Sequence, residues 1–253
     1  MSRTVQVGFS QRIQLEWLEW TAELFLAGNT RDQIQIALQD LLRDQLSVGG
    51  TAKRGNREKA ITILLKIWVS VPKSLKSLRN DGLEHLKRLP IGDHLPVHWG
   101  MIMAVYPFLG VVAETIGRLL RLQGSAAAAQ VQRRVREQLG ERETVSRATR
   151  RVLRCFIDWG VLQDTKKEKG VYQPSPARSV KDKKLAAWLI EAALVASGSH
   201  SKSLKELAQS PALFPFSINL SNITDLEDSN RLELFRQGLD EDVVVIKNAR
   251  DMN

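Results

Sequence analysis

The chain has 253 residues, 43% of them hydrophobic and 26% charged, and its 37 Lys+Arg against 28 Asp+Glu give a formal charge of +9 and a pI near 9.8. That is enough apolar sequence for one large domain or two to three small ones, and the cationic excess favours a polyanionic partner such as nucleic acid or an anionic surface. A single cysteine, Cys155, excludes a disulfide framework and cysteine-rich zinc sites.

The start, Met1-Ser-Arg-Thr-Val-Gln6, has no basic stretch leading into an apolar run. No signal peptide is therefore expected, and the expected location is cytoplasmic. The first hundred residues read as a helical bundle. Ser10–Ala27 carries Ile13, Trp17, Trp20 and Leu24 on one stripe and ends at Gly28-Asn29. Thr30 with Gln33 makes a capping box, and Ile34, Leu38, Leu41 and Leu42 supply the next apolar face. A loop with Lys53 and Arg54 follows, then a helix capped by Asn56 that runs to Val71, where Pro72 stops it. Two shorter helical pieces, divided near Asp81-Gly82, come next. From Asp93 to Leu122 the pattern predicts two apolar helices hinged at Pro107. Val97–Ala113 lacks Asp, Glu, Lys and Arg, but it is shorter than the ~20 residues that cross a bilayer, so no membrane partner is expected.

Positive charge is concentrated in the middle of the chain. Residues 118–154 hold ten cations, all arginine, against three glutamates, whereas residues 220–253 hold four cations against eight acids. Arginine suits bidentate phosphate and guanine contacts, so this choice says more than charge alone. Three helices are predicted here: Phe108–Gln123 ending at Gly124, Ala126–Leu139 capped by Ser125, and Glu143–Trp159 ending at Gly160. Val161–Gln163 and Val171–Gln173 then flank a charged tip, a β-hairpin. Three helices and a hairpin in this order predict a winged helix-turn-helix over 107–176.

The third helix has two opposed faces. At about 100° per residue, with Val145 at about 0°, Ala148, Val152, Phe156 and Trp159 fall between about 300° and 20°. Arg147, Arg150, Arg151 and Arg154 fall between about 140° and 240° on the same wheel. The apolar arc should dock on the neighbouring helices. Thr144 and Ser146, near the helix start, should reach base edges, and the four arginines should lie in a major groove and on the phosphates. Lys166, Lys167 and Lys169 at the hairpin tip should contact the adjacent backbone. Cys155, at about 280°, reads as a small buried hydrophobe.

The stretch Glu143-Thr-Val-Ser-Arg-Ala-Thr-Arg-Arg-Val-Leu-Arg-Cys-Phe-Ile-Asp-Trp-Gly-Val-Leu162 resembles the recognition helix and first wing strand of bacterial winged-helix regulators. In those proteins a Thr-x-Ser-Arg start opens a helix that closes on x-x-Gly-x-Leu. The resemblance covers about seventy residues around this helix. The layout of a small helical bundle, a basic winged-helix-like segment and a mixed tail is similar to the small A-component family of bacteriophage exclusion (BREX) islands. That likeness implies a role in phage defence beside other proteins of the same system.

The last third reads as a small α+β region. Lys181–Ser197 and Ser203–Gln209 are predicted helices, and Phe214–Leu220, Leu232–Phe235 and Val243–Ile246 predicted strands. The Val-Val-Val-Ile strand is able to complete the fold, or to pair with a partner's sheet edge as a docking element or in a homodimer. His94 and His98 have the spacing of metal ligands on a helix, but Pro96 lies between them and no third ligand is identifiable nearby, so no metal is expected. Ser199-His200-Ser201 lacks a placed acid, and Asp240, Glu241 and Asp242 lack the acid-x-Lys spacing of a metal-dependent nuclease. The expectation is therefore a mainly α protein in three segments: a helical bundle (1–106), the winged helix (107–176) and the α+β region (177–253). It binds duplex DNA without a cofactor or catalysis. The alternatives are a transcriptional repressor, or an assembly protein whose winged helix binds protein or RNA.

Overall fold

The computed structural model describes residues 7–46, 55–165, 168–219, 231–237 and 241–247. The loop at Lys53 and Arg54, the tip residues Lys166 and Lys167, Leu220 and Asp240 lie outside them. The described chain is mainly helical, with small sheets confined to its second half.

Helices α1 (Leu15–Leu26), α2 (Arg31–Leu41) and α3 (Asn56–Trp68) form the first layer. Between α1 and α2 the chain reverses at Gly28, whose φ of 83° lies where a side chain would be strained. The predicted capping box is present: Gln33 N–H donates to Thr30 Oγ1, and Thr30 N–H donates to Gln33 Oε1. Helix α3 ends at Trp68 rather than Val71, and Gly55, not Asn56, occupies its N-cap position.

After a turn of 3₁₀ helix (Lys73–Leu75), α4 (Lys76–Arg88) runs unbroken through Asp81-Gly82, where the sequence predicts two pieces. Packing explains Gly82 better than a break does. A Cβ there would lie 3.0 Å from the Trp188 ring and 3.4 Å from Trp68, so the missing side chain makes room for two indoles. Helix α5 (Leu95–Val105) is buried along its whole length, and α6 (Pro107–Gln123) leaves it at a bend of 117°. Pro107 opens α6 at a position whose N–H would have no partner in the helix. Among the described residues no single helix is long and apolar enough to cross a membrane.

Strand β1 (Ala126–Ala127) precedes α7 (Ala128–Leu139), so Ser125 is not the cap that the sequence predicts. Helix α8 (Glu143–Asp158) follows, then β2 (Leu162–Asp164) and β3 (Val171–Pro174). These strands form an antiparallel sheet in the order β1-β3-β2, with Ala126 opposite Tyr172 and Gln163 opposite Gln173. Two alanines carry no strand signal of their own; the edge of β3 recruits them.

Beyond this sheet come β4 (Arg178–Val180), α9 (Lys183–Ser197), β5 (Ser201–Ser203), α10 (Leu204–Ala208), β6 (Phe216–Ile218), β7 (Leu232–Gln237) and β8 (Glu241–Ile246). Strands β4 and β6 pair in parallel, and β5-β8-β7 form a second antiparallel sheet. Neither β4 nor β5 carries a strand signal, because Arg-Ser-Val and Ser-Lys-Ser lack apolar alternation.

The three sequence segments share one core. Trp99 of α5 stacks on Phe156 of α8 with ring centroids 4.7 Å apart, and Phe216 of β6 meets Trp99 edge-on at 5.5 Å. Trp188 of α9 fills the space over Gly82 and Gly100, and its indole N–H donates to Leu78 O at 2.9 Å.

Candidate nucleic-acid interface

Helix α8 buries the face that its periodicity assigns to the core. Val145, Val152 and Phe156 are fully buried, and Ala148 and Trp159 nearly so. Cys155 is buried as its position on the wheel predicts, and the buried face is wider than the predicted arc, taking in Thr149 and Leu153. Burial pushes the Cys155 thiol up to about 12, which leaves it an unreactive hydrophobe.

The exposed face holds Thr144, Arg147, Arg150 and Arg154. Arg147 Nε lies 3.4 Å from Glu143 Oε1 one turn earlier, an exposed pair of small energetic weight. Arg150 and Arg154, also one turn apart, have no ion pair among the described residues, so their charges are available to a ligand. On α7, Arg133 and Arg134 are exposed, Arg133 lying 3.7 Å from Glu137. Lys169 is exposed beside Glu168 at the β2–β3 hairpin, whereas Lys166 and Lys167 lie outside the described residues.

Two predicted DNA-touching residues are placed elsewhere. Ser146 is only 7% exposed, with its hydroxyl 3.4 Å from Gln132 Oε1 on α7. Arg151 is half-buried, and its Nη1 donates to the backbone oxygen of Ser10. Ser146 is covered by α7, and Arg151 by a stretch of chain ahead of α1 that lies along α8. Ile13 N–H donates to Cys155 Sγ at 3.2 Å, Trp159 Nε1 donates to Ile13 O at 2.9 Å, and Arg12 makes a two-point ion pair with Asp158. Nothing in residues 7–14 signals this arrangement, since the hydrogen bonds of Ser10 and Ile13 to α8 use backbone atoms and Arg12 resembles any surface cation.

A second cluster is half legible in the sequence. His94 and His98 lie one turn apart as expected, and Glu19 of α1 supplies the third group that their neighbourhood in the chain does not offer. Glu19 Oε2 is 2.9 Å from His94 Nδ1, and Oε1 is 3.0 Å from His98 Nε2. Exposure of these residues is 8% for Glu19, 8% for His94 and zero for His98. His200 is exposed, and Asp242 lies 3.9 Å from Arg236.

Comparison of the chain with protein-family models, curated proteins and solved structures finds no match.

Proposed function

We propose that residues 107–176 form a winged helix-turn-helix through which the protein binds duplex DNA, with no catalytic step. One observation carries this reading. The exposed face of α8 holds Thr144, Arg147, Arg150 and Arg154 opposite a face sealed into the core. Support also comes from the element order: α6, β1, α7, α8 and a β2–β3 hairpin, with β1 paired to β3, is the arrangement a winged helix requires. In this reading Thr144 and Arg147 reach base edges from the first turns of α8. Arg150 and Arg154 hold phosphates, and Lys169, with Lys166 and Lys167 at the same tip, lies on the adjacent backbone. Ser146 and Arg151 support the helix rather than touch DNA.

The test is fluorescence anisotropy with a random duplex at low and moderate salt, on the full chain and on R150A/R154A. Removing two guanidiniums that each hold a phosphate should flatten the slope of log affinity against log salt by about two. Unchanged binding by that variant would sink the assignment. Absence of affinity at either salt would favour the assembly reading, in which the same face meets protein or RNA. A dimer by light scattering with preference for a palindrome would favour a repressor. A place in a phage-exclusion system, beside other proteins of that system, rests on the resemblance of layout alone.

A further inference from the structure

The Glu19–His94–His98 cluster obeys a strict accounting of donors and acceptors. An indole N–H can only donate, and Trp68 Nε1 lies 3.2 Å from His98 Nδ1. The Nδ1 of His98 therefore keeps its lone pair, and the hydrogen of the neutral ring sits on Nε2, on the Glu19 side. That N–H is off the line to Glu19 Oε1 despite the 3.0 Å separation, so the interaction is electrostatic rather than a well-aligned hydrogen bond. His94 has the opposite arrangement. Its Nε2 lies 3.0 Å from Leu89 O, a carbonyl that can only accept, so Nε2 carries a hydrogen. The remaining Nδ1 holds a second hydrogen, accepts one from a protonated Glu19, or aims a bare lone pair at a carboxylate oxygen 2.9 Å away. Two lone pairs facing each other in a buried site are repulsive and leave both groups unsatisfied.

We propose that one proton is held between Glu19 and His94 as a built-in part of the fold, fastening α1 to α5 as a buried carboxylate–imidazolium pair. The two charges cancel, and no outside charge is needed to balance them. The titratable groups acting on Glu19 are the two histidines, and those acting on His98 are Glu19 and His94. From α3 the cluster meets the uncharged Trp68 indole, and from the segment after α4 the Leu89 carbonyl. Burial pushes the Glu19 carboxyl up, yet the two imidazoles outweigh burial and draw it below its ordinary range. Burial holds the His98 imidazole below its usual range and so neutral.

The same three residues resemble a two-histidine, one-carboxylate metal site, with ligand atoms within 4.8 Å of one another. The hydrogen count opposes that use. A metal on His98 Nε2 would move the ring hydrogen to Nδ1, directly facing the Trp68 N–H, whereas a metal-bound histidine normally turns its other nitrogen to an acceptor. The site fits a proton and not a metal.

The pH dependence follows from which state holds the proton. Below the ordinary imidazole range, near pH ~6.5, the unfolded chain protonates His98 and the folded chain does not, so stability falls on the acid side.

Glu19→Gln provides the test, because its amide can donate to a neutral His94 and accept from His98 without the extra proton. In E19Q the amide hydrogen takes the place of the shared proton, so nitrogen NMR should find His94 Nδ1 unprotonated. Nitrogen NMR of the natural chain at pH 7 should find both His94 nitrogens protonated and His98 protonated on Nε2, and this reading stands even if E19Q fails to fold. A His94 with an unprotonated Nδ1 in the natural chain would overturn the proposal. So would stabilisation by zinc or cobalt ions that E19Q lacks, which would mean that a metal takes the proton's place.

Discussion

The indole N–H of Trp159 donates to the backbone oxygen of Ile13 at 2.9 Å, joining the end of α8 to a residue 146 positions earlier. With the Ile13–Cys155 and Arg12–Asp158 interactions, it makes the seat of the exposed arginines a joint product of two distant parts of the sequence.

Trp159→Phe keeps an aromatic ring in the cluster with Trp99 and Phe156 but removes the N–H. A buried carbonyl left without its donor costs about 1–3 kcal/mol, so the urea midpoint should fall by that equivalent with the slope unchanged. An unchanged midpoint would mean that residues 7–14 contribute little to holding α8.

Gly100 and Gly110 make a paired experiment inside α5 and α6. An added Cβ at Gly100 would come within 2.5 Å of the Trp188 ring and 3.1 Å of Leu189, whereas at Gly110 the nearest atom is Met103 Cγ at 4.0 Å. Alanine favours a helix over glycine by roughly 0.5–1 kcal/mol, so G110A should be neutral or stabilising. G100A should lose about 1–3 kcal/mol through overpacking, read as a fall in Tm. Equal effects at both positions would contradict the packing of Trp188.

Asp182 serves two roles at the start of α9. It accepts the Leu185 N–H at 2.8 Å as the helix cap, and it holds the Arg88 guanidinium at two points, 2.5 and 2.9 Å. The Arg88 guanidinium draws its carboxyl down to about 2. A depressed carboxylate contributes stability above its unfolded value of 3.8, and that contribution is lost as pH falls toward 2. Because both side chains are partly exposed, solvent screening limits the ion-pair share to about 1 kcal/mol or less. Removing the cap as well should make D182A cost about 1–2 kcal/mol at neutral pH, with R88A costing less. Acid titration of stability should be shallower between pH 4 and 2 in R88A than in the natural chain.

Short-range signals are legible in the sequence and long-range ones are not. The Thr30–Gln33 box, the break at Pro107 and the buried stripe of α8 each depend on residues within a few turns of one another. A helical wheel turns Ser146 and Arg151 toward DNA because it cannot include Gln132 or the Ser10 carbonyl. Glu19 is 75 positions from His94, so the histidine spacing is visible without the group that gives it meaning. Asp81-Gly82 reads locally as a break, and only Trp188, brought over from α9, explains an unbroken helix there. Strand β1 exists because β3 has an edge to offer.

The docking of the segment ahead of α1 on α8 also sets an order of events during synthesis. Ile13 leaves the ribosome first, and its partner Trp159 is made 146 residues later. At about 5–20 residues per second that interval is roughly 7–30 s. For that time Ile13, fully buried in the finished protein, has no α8 to rest on. Until α8 is made this stretch lacks its partner, so the candidate DNA-reading helix is seated by residues synthesised long before it.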